Sequence, residues 1–207
     1  MAFIEMVAAE DADGLLRKIY DGDLETFGFV PNHGRIISLR PEVLATWRAF
    51  QASIKKNLRL RTYELVTLAA ADALRCRYCL LAHGSVLLRT GVELPQLREM
   101  ITDHRRAGLP EIEVALMDFA HQVALDANQV QLGDIDDLRA LGLTDAAILD
   151  VTLTATMRSC FSKTFDALGV EPDEAYDDLA VHLADILPPA KALLPWASTV
   201  EPGAVAV

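Results

Sequence analysis

Residues 60–91 have the sequence LRTYELVTLAAADALRCRYCLLAHGSVLLRTG, which combines a helical pattern with two closely spaced cysteines. Apolar residues recur here at intervals of three and four, the spacing of one face of an α-helix. Thr62 is a suitable N-cap for a helix over residues 63–74. The small side chains of Ala69 to Ala71 allow close packing against neighbouring helices. The stretch therefore predicts a central, buried helix that leads into the cysteines.

The same spacing extends along most of the chain, and the strict alternation of a β-strand is scarce, so the predicted fold class is all-α. Glycine and proline residues separate the predicted helices. After a first helical region that closes at residues 28–32, helices are predicted over residues 41–57, 63–74, 77–90, 94–107, 110–128, 135–140, 144–168 and 173–187.

A single helical domain is expected over residues 1–187, followed by a Pro-rich, extended C-terminal arm over residues 188–207. The arm is a candidate for docking on a partner subunit. A faint similarity between residues 62–66 and 144–148 suggests a duplicated helical unit, although the second copy has Arg158 and Phe161 where the first has its cysteines.

The composition excludes several classes of function. The formal net charge of −11 argues against binding to nucleic acid or to an anionic membrane surface, since both require a basic patch. No stretch reaches the roughly 18 uninterrupted apolar residues that a membrane span needs. The N-terminal residues lack a basic lead and an apolar run, so a cytoplasmic protein is expected.

Cys76 and Cys79 form a CxxC pair at the predicted start of a helix, close enough to form a disulfide with modest rearrangement. His83 stands four residues after Cys79, one helical turn along the same face, where it can take or stabilise the thiol proton. Arg75 and Arg77 add positive potential, which favours the reactive thiolate. The group predicts reversible thiol redox chemistry.

Glu64 is the fourth candidate for this site. On one continuous helix it would point about 120° away from Cys76. A turn near residues 74–77 would let the two helices pack as a hairpin and bring the carboxylate to His83. Taken alone, an acidic residue at the start of a helix more often stabilises the helix dipole than takes part in chemistry.

Other residues have simpler interpretations. The two cysteines could be half of a structural zinc site, but there is no second CxxC pair, and neither a metal nor a cofactor is expected. Cys160 is expected to be a small buried hydrophobic residue, and Trp47 and Phe50 are expected in the core. The remaining histidines lack suitably spaced partners and are taken as structural: His33, His104, His121 and His182.

Taken together, Glu64, the CxxC pair and His83 resemble the signature of AhpD-like alkylhydroperoxidases, in the peroxidase-related branch of the carboxymuconolactone decarboxylase superfamily. Further landmarks of the resemblance follow in order along most of the chain: residues 28–32, 40–42, 60–66 and 167–170.

The resemblance implies an all-helical AhpD-like fold that assembles as a homotrimer or homohexamer. It implies that Cys79 attacks a small organic hydroperoxide or hydrogen peroxide, that Cys76 forms the disulfide, and that Glu64 and His83 transfer protons. A thiol or lipoyl-type reductant protein would then restore the dithiol. One physical argument points the other way, since Cys76 is nearer the helix N-terminus, which favours the lower thiol pKa.

Tyr78 departs from the best-studied members, which have a histidine immediately before the second cysteine. A phenol does not exchange protons near neutral pH as an imidazole does. Two alternatives to a peroxidase therefore stay open: a general disulfide oxidoreductase without peroxide specificity, and a non-catalytic helical oligomer with a structural metal.

Overall fold

The computed structural model describes residues 2–190, and the part of the chain that it describes is helical, without β-strands. The ten α-helices in these residues are α1 (Gly14–Phe27), α2 (Asn32–Arg35), α3 (Pro41–Lys55), α4 (Leu60–Ala73), α5 (Arg77–Arg89), α6 (Leu94–Asp103), α7 (Glu111–Asp126), α8 (Leu132–Ala140), α9 (Asp145–Ala167) and α10 (Asp177–His182). Short 3₁₀ turns follow α6 and α7 and precede α10. The all-α prediction is confirmed.

Glycine and proline end or begin helices where the sequence predicts. Gly28 ends α1 with a left-handed φ of 79°, and Pro41 is the first residue of α3. Gly91 follows α5 with a φ of 98°. A side chain with a Cβ rarely adopts this conformation, so glycine is the natural residue there.

Three predicted helix starts are wrong, and the first is that of α8, which begins at Leu132 rather than Ile135. Helix α4 begins at Leu60 rather than after Thr62, and its first turn is held by the ion pair of Arg61 with Glu113 of α7. The helix predicted from Asp173 begins as a 3₁₀ turn and then forms the short α10. The carboxylate of Asp173 accepts a hydrogen bond from the amide of Asn32 instead of capping a helix.

Helix α4 lies at the centre of the molecule and packs on α5, α7 and α9. All residues from Tyr63 to Ala71 are buried, which confirms the prediction made from the alanines. Leu65 and Leu68 are fully buried, and truncation of such a side chain to alanine costs about 2–5 kcal/mol. The polar Glu64 lies within this buried stretch, so its carboxylate needs a hydrogen-bond or ion-pair partner to offset the cost of burial.

A sharp turn joins α4 to α5. The amide of Cys76 donates to the carbonyl of Ala71, and the amide of Arg75 donates to that of Asp72, which is the hydrogen-bond pattern of a Schellman motif. Arg75 occupies the left-handed position with a φ of 55°, where glycine is usual. The turn reverses the chain and starts α5 directly at the CxxC pair.

No helix within residues 2–190 is long and apolar enough to cross a membrane. Met1 and residues 191–207, most of the predicted C-terminal arm, lie outside the described residues. The division into one domain and an arm, and the duplicated unit, stay predictions. The second copy of that unit falls in α9, which is one continuous helix of 23 residues.

Candidate active site

The hairpin of α4 and α5 brings together the four residues that the sequence selects. Cys76 is the N-cap of α5, and Cys79 and His83 follow on the same helix. Glu64 reaches across from α4, and its Oε2 lies 2.6 Å from Nδ1 of His83. The predicted turn and the approach of Glu64 to His83 are therefore present, and Glu64 does more than stabilise a helix dipole.

The carboxylate of Glu64 determines which nitrogen of His83 holds a proton. An ionised carboxylate only accepts hydrogen bonds, so Nδ1 of His83 donates and Nε2 is left for other partners. Burial works to raise the pKa of Glu64, but attraction to His83 and its hydrogen bond, together with Lys55 and Arg158, lower it below its ordinary value. Nζ of Lys55 lies 3.7 Å from the other carboxylate oxygen.

The two thiols of the CxxC pair are reduced and buried. The hydrogen bond from Cys76 lowers the pKa of Cys79 well below its ordinary value, helped by Arg158, His83 and Ser162 and opposed by burial. The same hydrogen bond, with burial, raises the pKa of Cys76. The expectation that Cys76 has the lower pKa is therefore wrong, because its thiol is the donor and the cationic groups converge on Cys79.

Arg158 of α9 is a site residue that the sequence interpretation missed. Its guanidinium is buried, with Nη1 3.7 Å from Sγ of Cys79 and the charge 4.8 Å from the ring of Phe161. Nε and Nη2 have no hydrogen-bond partner among the described residues. One turn further along α9, the hydroxyl of Ser162 lies 3.4 Å from the same sulfur. A buried cation with so few partners is stabilised by an anion, and the thiolate of Cys79 is placed to be that anion.

The sequence contains one hint of this arrangement. Arg158 and Ser162 are polar residues four apart in the predicted helix, so they share one of its faces. Their position relative to Cys79 depends on how α9 packs, which the local sequence does not specify.

A second polar group surrounds Tyr78, next to the second cysteine. Its hydroxyl donates to Oδ2 of Asp173 and lies 3.2 Å from the amide and 3.1 Å from Nδ1 of His33. Because that hydroxyl hydrogen is used on Asp173, Nδ1 of His33 must be the donor and Nε2 the acceptor. Burial, with Arg48, Arg158 and His83, lowers the pKa of His33 to about 3, so its imidazole is neutral.

The partners of Tyr78 place His33 in the wall of the site. The sequence offers His33 no suitably spaced partner, but its Nδ1 lies 3.1 Å from the Tyr78 hydroxyl. Burial raises the pKa of Tyr78 well above its ordinary value, and Asp173 adds to the effect. Tyr78 is therefore a fixed hydrogen-bond donor at neutral pH and not a proton shuttle.

A cavity of about 760 Å³ opens onto Cys79 and His83. This volume lies in the range of pockets that bind small molecules. Its lining is rich in aromatic rings, namely Phe27, Phe29, Tyr63, Tyr78, Phe161, Phe165 and Tyr176. Glu64 and the guanidinium of Arg158 also form part of the wall. The sulfur of Cys79 is thus reached through a pocket and not from the open surface.

Two residues expected in the core are exposed instead: Cys160, and Phe50, which is 48% exposed. Trp47 is half-buried and packs against the core, in agreement with its prediction. All three line an apolar groove between α3 and α9, on the side of α9 away from Arg158. His104, in contrast, pairs with Asp118 at 2.8 Å, which fits its structural interpretation. Within residues 2–190 no group of three or more His, Cys, Asp or Glu side chains is placed to hold a metal ion.

Residues 41–122, from α3 into α7, match the model of the carboxymuconolactone decarboxylase family. No curated protein matches the chain in sequence.

Solved structures agree on the fold. An uncharacterized peroxidase-related protein with an alkylhydroperoxidase AhpD core, from Ralstonia eutropha JMP134, superposes with a TM-score of 0.79 and 21% identity over 84% of this chain and 94% of its own. A peroxidase-related protein from Silicibacter sp. TM1040 superposes with a TM-score of 0.73 and 22% identity, over 80% of this chain and 90% of its own. The debrominase Bmp8 in complex with 2,3,4-tribromopyrrole superposes with a TM-score of 0.73 and 16% identity, over 87% of this chain and 95% of its own. Residues 41–122 therefore match the carboxymuconolactone decarboxylase family, and the fold of the described residues is that of the solved AhpD-like, peroxidase-related structures.

Proposed function

We propose that the protein is a thiol peroxidase that reduces small hydroperoxides through a dithiol and disulfide cycle of Cys76 and Cys79. The strongest support is the environment of the Cys79 sulfur, which accepts hydrogen bonds from Cys76, Arg158 and Ser162. These donors stabilise a thiolate, which is the nucleophilic form. A buried thiolate at the end of a small-molecule cavity is suited to attack a compact electrophile.

The first step oxidises Cys79. Its thiolate attacks the terminal oxygen of the hydroperoxide, an S–O bond forms as the O–O bond breaks, and the sulfur gives up two electrons to become a sulfenic acid. The departing alkoxide takes a proton and leaves as an alcohol. His83, oriented by Glu64 and one turn along α5, is the acid-base group placed to supply that proton.

The second step forms the disulfide. The sulfur of Cys76 attacks the sulfenic sulfur of Cys79, an S–S bond forms, and the oxygen leaves as water with the proton of the Cys76 thiol. An external dithiol then restores the pair by two exchange reactions. Because Cys76 and Cys79 are 0% and 1% exposed, the reductant must enter through the cavity. A lipoyl-type arm is narrow enough to do so, whereas a protein surface is not.

The burial of Cys76 and Cys79 also favours a peroxidase over a general disulfide oxidoreductase. Exchange with folded protein disulfides requires a thiol at the surface, and here a hydroperoxide is the smaller and better fitting oxidant. A general oxidoreductase would exchange disulfides but show negligible stoichiometric oxidation by peroxide, which quenched-flow thiol counting measures.

A direct test is peroxide consumption with excess dithiol reductant. We expect Cys79→Ser and Cys76→Ser each to abolish turnover, and Cys160→Ser, whose thiol lies outside the cavity, to retain it. In single turnover, Cys76→Ser is expected to accumulate a Cys79 sulfenic acid that a dimedone probe traps. Undiminished turnover in both active-site variants would refute the proposal.

Reductive dehalogenation of an aromatic ring is a second candidate, favoured by the aromatic lining of the cavity. The debrominase Bmp8 has the same fold. In this reaction Cys79 would take the halogen from carbon, the ring carbon would take a proton, and Cys76 would displace halide to form the same disulfide. Halide release from brominated phenols or pyrroles in the presence of a dithiol, absent in Cys79→Ser, distinguishes it from peroxide reduction.

A further inference from the structure

We propose that the cavity above Cys79 selects small aromatic substrates that have one negative charge, with the ring between the aromatic walls and the charged group at the mouth beside Lys55 and Arg89. This rests on the proposed thiol chemistry at Cys79 and specifies the class of molecule on which it acts.

The aromatic content of the cavity wall is the first observation. Seven of the thirteen aromatic residues of the chain line this single cavity. They come from different parts of the chain: Phe27 lies at the end of α1 and is 47% exposed, and Phe161 and Phe165 lie on α9 with ring centroids 5.7 Å apart. Offset and edge-on contacts to such rings favour a planar unsaturated ligand. An aliphatic hydroperoxide would leave much of this surface in contact with water.

The charge of the cavity wall is the second observation. Four cationic side chains line it against one carboxylate, in a chain whose net charge is −11: Arg48, Lys55, Arg89 and Arg158 against Glu64. Arg48 is neutralised by a bidentate pair with Asp23, and Lys55 lies beside Glu64. A thiolate on Cys79 would balance Arg158. Arg89 is the cation of this wall that none of these anions balances, which matches a substrate with a single negative charge.

The positions of the cations give the substrate a direction. Arg158 is buried beside the reactive sulfur, whereas Arg89 is exposed and the side chain of Lys55 is 46% exposed. Nζ of Lys55 also lies 4.9 Å from the centre of the Tyr63 ring. An anionic group at the mouth keeps its hydration in part and adds Coulomb attraction, so the opposite end of the ring faces Cys79.

The first experiment compares hydroperoxides that differ in one property. Four compounds are assayed with excess dithiol: cumene hydroperoxide, its 4-carboxylate derivative, its 4-trimethylammonium derivative, and tert-butyl hydroperoxide. We expect kcat/KM to be about tenfold higher for the carboxylate than for neutral cumene hydroperoxide, and lowest for the cation and the aliphatic compound. Salt should reduce the preference for the carboxylate.

Two variants locate the effect. Arg89→Gln is expected to remove most of the preference for the carboxylate, and Arg106→Gln, which removes the same charge from an exposed residue outside the cavity, is expected to keep it. Equal kcat/KM for the carboxylate and neutral compounds, with turnover intact, would overturn the substrate class and leave the peroxidase proposal standing.

A binding measurement separates the two proposals. Calorimetric titration of 4-isopropylbenzoate into Cys79→Ser needs no reaction at sulfur. Binding that weakens in Cys79→Ser/Arg89→Gln supports the substrate class even if no hydroperoxide is turned over. Absence of binding, or binding no tighter than that of 4-isopropylbenzyl alcohol, would overturn it.

Discussion

The guanidinium Nη1 of Arg158 lies 3.7 Å from the sulfur of Cys79, and both groups are buried. A cation at this distance in a medium of low polarity stabilises a thiolate strongly. When Cys79 is in a disulfide, Arg158 loses that anion and becomes a buried charge without it. The contact therefore favours the reduced state and makes the disulfide easier to reduce.

The first prediction concerns this contact. Arg158→Met is expected to raise the pKa of Cys79 toward its ordinary value and to slow its oxidation at neutral pH about tenfold. The rate should then increase toward alkaline pH, whereas the wild-type rate should vary little there. The measurements are ultraviolet thiolate absorbance and single-turnover oxidation against pH, both in a Cys160→Ser background that removes the exposed thiol.

The same substitution should also destabilise the protein. Arg158→Met removes one partner of a buried charge pair and leaves the Cys79 thiolate without its cation, so the free energy of unfolding at neutral pH is expected to fall by about 3–5 kcal/mol. Arg158→Lys, which keeps the charge on a shorter side chain, should recover part of the low thiol pKa. An unchanged pKa in Arg158→Met would show that Cys76, Ser162 and His83 stabilise the thiolate without Arg158.

The second prediction concerns Glu64. Its pKa in the folded state is lower than its ordinary value of 4.5, so its ionised form contributes stability that is present above that pH and is lost as pH falls through the folded value. Glu64→Gln is expected to lower the free energy of unfolding by about 1–3 kcal/mol at neutral pH, because His83 and Lys55 lose their anion. Urea unfolding from neutral to acid pH measures this.

Glu25→Gln is the matched control for Glu64, since it makes the same change at an exposed position. The difference between wild type and Glu64→Gln should shrink as the pH falls into the acid range. A difference that is independent of pH would mean that the Glu64 charge does not contribute to folding.

The third prediction concerns Tyr78, whose hydroxyl binds Asp173 and accepts from His33. Tyr78→Phe leaves the largely buried Asp173 carboxylate with one fewer donor, and we expect a loss of about 1–3 kcal/mol in the free energy of unfolding. Burial raises the pKa of Asp173 in the folded state, so this loss should grow as pH rises through that pKa and the carboxylate ionises.

A double-mutant cycle tests the coupling. Tyr78→Phe with Asp173→Asn should cost less than the sum of the two single changes, since each removes the same hydrogen bond. Tyr176→Phe, on the same cavity wall, is the control for loss of a tyrosine hydroxyl. Additive losses would contradict a direct Tyr78–Asp173 interaction.

The fourth prediction concerns the turn that places the dithiol. Arg75 adopts a left-handed φ of 55° in which a Cβ is unfavourable, so Arg75→Gly is expected to raise the free energy of unfolding by about 0.5–1 kcal/mol. Arg77→Gly, at a right-handed position in the first turn of α5, is expected to lower it by a similar amount. Chemical denaturation of both variants checks the signs, and destabilisation by Arg75→Gly would contradict the turn geometry.

Local relationships in this protein follow from the sequence alone. The all-α class, the cap at Gly91 and the alignment of Cys76, Cys79 and His83 depend on residues a few positions apart, whose geometry the helix repeat determines. The approach of Glu64 to His83 could also be predicted, since a short turn between two helices leaves few other arrangements.

Tertiary packing decided the rest. Arg158 and Ser162 are 79 and 83 positions from Cys79, and Asp173 is 95 from Tyr78, so no local pattern relates them. Cys160 follows Arg158 by two residues, about 200° around the helix, so the packing that turns Arg158 toward the thiol turns Cys160 toward solvent. The sequence by itself therefore grouped Cys76, Cys79 and His83, whereas the packing of α9 on α5 decided that Arg158 and Ser162 face the sulfur of Cys79.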